Sequence, residues 1–304
     1  ISNGRTIVAI GGGGSVMGAI GMKLDPKANR MLQSVREAVD IVSSVTSGKL
    51  VMNYPGEVFK LSRPLKNGWA KAARPGIFTC ATGPKMLQLA GEIADGTQMS
   101  DVTPEKIDHH MEALRAGLAA RKTPAADFRI GNFWAWHIKA DRDKSMYEAR
   151  RELVFRGELL PPKYDMLPYV TPEERQLVID KWQNFAKAFW TRSGKIEDVP
   201  ESIVTRLIAA CSSAGDLGDI DLQIERFRVF EKAGLPVPWC NFAHVTVNGR
   251  DLGLYVHLES VDRRWVRRHF PKDEGDLWEG EFSDFRTEWL GTFEKKGDVE
   301  DDDQ

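Results

Sequence analysis

Residues 80–96, CATGPKMLQLAGEIADG, follow the β-prone run Gly76-Ile77-Phe78-Thr79 and decide how the chain is read. Thr82-Gly83-Pro84 stands between a short strand and a helix, and Ala94-Asp95-Gly96 ends that helix and resets the chain for another strand. Pro84 suits a first helical turn, where its missing N–H is no loss, and Gly83 lets another group come close to the backbone. The N–H groups at the start of such a helix have no partner inside it and attract anions. Ala81, Thr82, Gly83 and Pro84 are therefore expected to form an anion seat. Lys85 is either its counter-charge or an ordinary solvated residue.

Working outward, the same rhythm recurs. Arg5–Ile10 is almost continuously apolar, as expected of a strand buried on both faces, and runs into Gly11-Gly12-Gly13-Gly14. Gly11, Gly12 and Gly13 can admit a ring system at a strand end or form a bare turn. A dinucleotide fingerprint fits only loosely (Gly12, Gly14, Gly18), because no clear helix opens at the glycines. Leu32, Val35, Val39, Val42 and Val45 predict a helix over 26–47, and Leu50–Leu61 reads as a small hairpin. A short strand over 97–100, a helix opened by Pro104, a strand over 128–140 and a helix over 143–155 follow. Helices are expected over 172–192, 200–211 and 218–233. Strands alternating with amphipathic helices imply a parallel sheet with crossover helices, doubly wound or closed into a barrel. At Leu235-Pro236-Val237-Pro238 the texture changes, and Asn248-Gly249 inside 242–259 is a hairpin signal. The expected domains are 1–235 and 236–304.

Of 304 residues, 42% are apolar and 28% charged, which excludes disorder as the default, and a net charge of -2 argues against a general nucleic-acid binder. The three cysteines, Cys80, Cys211 and Cys240, are far apart, so neither a disulfide framework nor a zinc site is expected. A reducing, cytoplasmic location is the expectation. No apolar run approaches a membrane span, no signal peptide is seen, and the acidic run 298–303 reads as a solvated tail.

Two resemblances follow. Residues 2–14 (SNGRTIVAIGGGG), 73–96 (ARPGIFTCATGPKMLQLAGEIADG) and 215–235 (GDLGDIDLQIERFRVFEKAGL) resemble the luciferase-like oxidoreductases, most of all the methylenetetrahydromethanopterin reductase type. The resemblance implies an incomplete (β/α)8 barrel of the TIM type: its fourth to seventh strands with their helices, with the eighth strand expected just after Leu235 and missing. It also implies hydride transfer with an 8-hydroxy-5-deazaflavin coenzyme or FMN, a small-molecule substrate, and a cofactor phosphate on Ala81-Thr82-Gly83-Pro84. The family's first three strands, with its usual acid/base and substrate residues, have no counterpart here, so no catalytic residue is assigned. A barrel opened in this way exposes sheet edges that a partner or a second copy would have to cover. Residues 233–298 are similar to the opening of a CotH-type kinase domain, in Asn248-Gly249, Gly253-Leu254-Tyr255-Val256 with Glu259, and 275–280 (GDLWEG). The family's catalytic and metal-binding carboxylates come later than this segment, so a working kinase is not expected, and a small α+β fragment with a β-hairpin is. The other reading is a catalytically inactive fusion or assembly module.

Several residues are weighed against plain structural roles. His109 and His110 are adjacent on a helix, face different directions and read as solvated. His137 reads as a satisfied core histidine. His244 and His257 fall in the hairpin with no nucleophile near. Trp134, Trp136, Trp182 and Trp190 read as packing residues, and Glu92 and Asp95 as structural. No metal site is expected.

Overall fold

The computed structural model describes residues 6–13, 27, 30–68, 70, 74–123, 127–156, 165–261, 263–270, 278–280 and 293–295. Gly14, Gly18, Pro26, the segment 275–277 and the acidic run 298–303 lie outside them. The chain divides into two compact units, Ile1–Leu235 and Pro236–Gln304.

In the first unit, β1 (Ile7–Gly11), β2 (Gly76–Cys80), β3 (Gly96–Ser100) and β4 (Arg129–Phe133) form a parallel sheet in sequence order. The crossovers are α1 (Met31–Thr46), α2 (Pro84–Ile93) and α3 (Ile107–Ala119). This is the strand–helix alternation read from the sequence. Val8, Ile10 and Ile77 point to one face, where they meet Val35 and Val39 of α1 and Leu89 of α2. The helices α2 and α3 pack backbone to backbone. A Cβ on Gly117 would lie 1.9 Å from Gln88 O, and one on Gly91 would lie 2.6 Å from Leu114 O, so only glycine fits either place.

The opposite face is covered unevenly. Phe78 is buried there against Gly96 with the Arg129 guanidinium 5.0 Å from its ring centroid, whereas Ile7, Ala9, Gly11, Cys80, Gln98 and Phe133 are exposed. A strand buried on both faces was expected at β1. It is instead an edge strand with its helix layer on one side, and Ile7 is 43% exposed.

The hairpin expected over 50–61 is absent; Val51 and Leu65 form only an isolated bridge. The Glu37 carboxylate of α1 takes the N–H groups of Glu57 (2.7 Å), Val58 (3.1 Å) and Phe59 (2.8 Å), so these donors are spent on a side chain and not on a partner strand.

After Trp134 the strand resumes as β5 (Ala135–Trp136), and four helices follow: α4 (Arg142–Glu152), α5 (Pro172–Asp180), α6 (Trp182–Trp190) and α7 (Glu201–Cys211). The single helix expected over 172–192 is two, separated at Lys181. Thr171 and Glu174 cap α5 reciprocally with Pro172 in its first turn, a complete capping box. Asp141 caps α4 by accepting from Asp143 N–H and Lys144 N–H. Leu153, Met166, Phe185, Leu207 and Ile208 centre the core of this helical layer.

A further strand then appears where none was expected. Ser212–Ser213 (β6) pairs in parallel with β5, and the pairing continues through His137 N–H to Ser213 O (2.6 Å) and Lys139 N–H to Gly215 O (3.2 Å). This strand precedes α8 (Ile220–Lys232), the final helix of this unit. Two serines are too short and too polar to show strand periodicity.

In the second unit, β7 (Cys240–Val247) and β8 (Arg250–Leu258) form the expected antiparallel hairpin, with Val247 opposite Arg250. Asn248 and Gly249 both take positive φ, 52° and 79°, as a two-residue turn of the hairpin-favouring type requires. The register slips between Val245 and Thr246, a β-bulge. A short helix, α9 (Arg263–His269), and an antiparallel pair, β9 (Trp278–Gly280) with β10 (Phe293–Lys295), follow among the described residues. Arg268 of α9 pairs with Glu259 and stacks 3.7 Å from the ring centroid of Trp239, and the Trp239 backbone N–H donates to Glu259 Oε2.

Candidate functional site

The expected site residues come together at one end of the sheet. Gly11 pairs with Cys80 across β1 and β2, so Gly12 and Gly13 leave β1 beside Ala81 and Thr82, which leave β2. Both loops lie at the carboxyl ends of parallel strands, where such sheets bind ligands.

The groups there are not equivalent. Ala81 is buried and its N–H donates to Gln98 O at 3.0 Å, so it anchors the turn and offers no donor. Gly83 is the N-cap of α2 with φ -80° and ψ 148°, a backbone open to any residue, and Pro84 opens the helix. The N–H groups of Met86 and Leu87 both turn back to Gly83 O at 3.0 Å. The N–H groups of Thr82, Gly83 and Lys85 and the Thr82 hydroxyl have no partner among the described residues. Lys85 is exposed in the same first turn. These groups and the positive end of the helix dipole suit a phosphate. Gly12 has a packing reason of its own, since a Cβ there would lie 2.7 Å from Met31 Sδ. Cys80, one residue before the seat, is an exposed free thiol whose pKa partial burial raises.

Asp95 fixes the far end of α2. It accepts from Arg74 Nη2 (2.9 Å) and from Ile77 N–H (2.8 Å), tying the end of α2 to the start of β2. Burial pushes its carboxyl up, but Arg74 and the Ile77 N–H outweigh burial and hold it below the usual range. Glu92 pairs with Arg36 of α1. Both carboxylates are structural, at the far end of α2 from the seat.

The remaining singled-out residues divide. Trp134 packs on Phe230 and donates to Ser213 Oγ (2.9 Å), Trp136 stacks on Phe227, and Trp182 stacks on Phe185, but Trp190 is 78% exposed. His110, expected to be solvated, is buried beside Lys106 O, 2.8 Å from its Nδ1, because its side of α3 carries the apolar stripe. His137 is buried but is not satisfied, since its Nε2 has no hydrogen-bond partner among the described residues. His244 and His257 lie in β7 and β8, opposite Leu254 and Asn241. Among the described residues no group of three His, Cys, Asp or Glu could hold a metal ion, and no helix is long and apolar enough to cross a membrane.

A polar network at the same end of the sheet was missed from the sequence. Asp101, just after β3, has φ 52° and accepts from Arg156 Nη1 at 3.0 Å, with both side chains buried. Asn132 braces the same turn, accepting from Val102 N–H (3.1 Å) and donating to Val102 O (2.9 Å). Aspartate is among the residues enriched at positive φ, but that preference alone does not single out Asp101, and its partners lie far apart in the chain.

The family model described as luciferase-like monooxygenase matches residues 1–235, and the one described as CotH kinase protein matches residues 226–304. The chain is 32% identical over 240 residues to a 5,10-methylenetetrahydromethanopterin reductase of Archaeoglobus fulgidus, covering 77% of this chain and 67% of that protein. Among solved structures it is similar to the coenzyme F420 dependent tetrahydromethanopterin reductase from Methanopyrus kandleri (18% identity, TM-score 0.52, 75% of this chain and 66% of that one). It is also similar to an F420-dependent secondary alcohol dehydrogenase in complex with an F420-acetone adduct (18% identity, TM-score 0.51, 76% of this chain and 62% of that one). At that identity the two structures speak for the fold, and the chain spans about two thirds of the length of each of these relatives. A parallel sheet with crossover helices, together with a family match over residues 1–235, establishes that the chain belongs to the luciferase-like monooxygenase family.

Proposed function

We propose that residues 1–235 form an oxidoreductase domain that transfers a hydride between a small-molecule substrate and a deazaflavin or flavin cofactor, with residues 236–304 a separate CotH-like domain. The observation that carries this is the turn at 82–85, with three unclaimed N–H groups at the start of α2 beside the β1 exit. Thr82, Gly83 and Lys85 would hold the cofactor phosphate, and Gly11–Gly13 would flank it. When bound, the cofactor supplies the hydride chemistry, and the chain supplies the seat and the orientation. Relatives described as F420-dependent support the deazaflavin, and the flavin is kept as the alternative that the luciferase-like family match allows. The free thiols Cys80 and Cys211 suit a reducing, cytoplasmic setting.

A fluorescence titration of the purified chain with FMN and with the deazaflavin coenzyme tests the proposal, run beside Gly83→Asp. The N-cap geometry of Gly83 accepts an aspartate, a good capping residue, so the variant keeps its melting temperature while setting a carboxylate against the phosphate. Binding weakened by about tenfold or more is expected, a loss of at least ~1.4 kcal/mol. Absence of binding in the parent chain, or equal binding by the variant, overturns the reading.

A second reading has its own observation. Ile7, Leu50, Met52 and Phe133 are exposed, so the chain can associate with a copy of itself through apolar surface. Light scattering that stays at the monomer value as concentration rises removes it.

A further inference from the structure

His137 follows β5 and is fixed by its backbone bond to Ser213 O. Its side chain, 8% exposed, lies under α4 between two carboxylates, with Nδ1 3.7 Å from Glu148 Oε2 and Nε2 3.5 Å from Glu152 Oε2. Both separations are too long for good hydrogen bonds. A neutral imidazole has one N–H and can serve only one of these carboxylates, whereas an imidazolium has two donors and suits both.

Glu152 is shared. Its Oε2 also lies 3.5 Å from Arg156 Nη2, and Arg151 Nη2 is 3.8 Å from its Oε1. Arg156 in turn donates to Asp101 Oδ1 at 3.0 Å and, through Nε, to Glu152 O at 3.2 Å. Asp101 also accepts from Ser100 Oγ (2.7 Å), and its N–H donates to Phe133 O (2.8 Å). An unbroken series of charged groups therefore runs from the end of β5 to the end of β3. Facing the imidazole are Glu148 and Glu152 of α4 and, behind Glu152, Arg156. Lys139, on His137's own strand, reaches Glu148 at 3.2 Å. Burial pushes the imidazole pKa down from 6.5; Glu152 opposes this, Arg156 adds to it and Glu148 opposes it.

We propose that His137, Glu152 and Arg156 form a proton-sensitive latch on the turn after β3. Uptake of one proton from solvent at His137 draws Glu152 toward the imidazolium, takes it from Arg156, and reseats Arg156 against Asp101. The fold places this response at the carboxyl end of the sheet, and it needs no bound ligand.

The test is NMR on the 15N-labelled full chain, following the imidazole of His137 and the amides of Asp101 and Val102 from about pH 8 to pH 5, the range of histidine titration. The expected result is one shared midpoint, below 6.5, for the ring and both amides. In His137→Gln the amides lose that transition. In Glu152→Gln the ring still titrates and the amides no longer follow, which decides the matter even if the first variant does not fold. An imidazole that stays neutral to pH 5, amides that ignore its titration, or amides that still follow it in Glu152→Gln overturn the latch.

Discussion

The two faces of the β1–β4 sheet are made by the same strands and end in different states. On the helix side, Ile77 and Met99 are 1% and 0% exposed, while on the other side Phe133 is 57% exposed and Ile7 43%. Each strand–helix unit brings the cover for its outer face in its own crossover. The inner face has no such local supply, because in a barrel it is filled by side chains from strands across the axis. The difference teaches that a repeat of this kind completes its outer layer unit by unit and leaves its inner layer to whatever faces it.

The largest effect is expected where a buried charge joins the ends of the strands. Arg156→Leu removes the guanidinium that pairs with buried Asp101, and should lower stability by about 3–5 kcal/mol in urea unfolding. Met99→Ala, on the covered face, should lower it by about 2–4 kcal/mol, as for a large apolar side chain removed from a core. A loss under ~1 kcal/mol there would mean that the outer layer is not the stabilising one.

Glu37 sharpens the comparison at the sheet's margin through pH. Burial pushes its carboxyl up, but the Phe59 N–H, the Gln33 amide and the N–H groups of Glu57 and Val58 bring it down to about 2 from 4.5. With the folded value depressed, the stability Glu37 confers is complete above pH 4.5 and is lost as pH falls toward about 2. Urea midpoints measured across that window should fall more steeply in the parent than in Glu37→Gln. Parallel slopes would show that the 57–59 turn is held by something else. The smallest effect is expected on the open face, where Phe133→Ser should change stability by no more than about 0.5 kcal/mol in the same assay. A larger loss would mean that Phe133 is covered in solution.

What the sequence disclosed follows the range of the interactions. The 80–96 segment was legible because its strand, its proline-opened helix and the next strand are all local patterns. The Asn248-Gly249 hairpin was legible for the same reason, a turn type written in two residues. The segment 50–61 misled because its backbone donors at 57–59 go to Glu37, twenty residues upstream of the first of them, and not to a partner strand. β6 was illegible because Ser212-Ser213 is a strand only by virtue of Ala135-Trp136 beside it. At the candidate site, the strand–turn–helix geometry around Ala81–Pro84 was visible and the Asp101–Arg156 pair was not. Nothing near residue 101 announces a partner fifty-five positions away.

The seam between α2 and α3 carries one more consequence. Gly91 and Gly117 each leave room for the other helix's backbone, with a Cβ at either meeting main-chain atoms at 2.6 Å or less. One alanine there must push the helices apart, and once they stand apart the second alanine finds the space already made. In a library scored for folding, these two positions should therefore be strongly epistatic, each single change severe and the double scarcely worse than the harsher single. Once one of the two glycines is lost, the other is no longer under the same constraint.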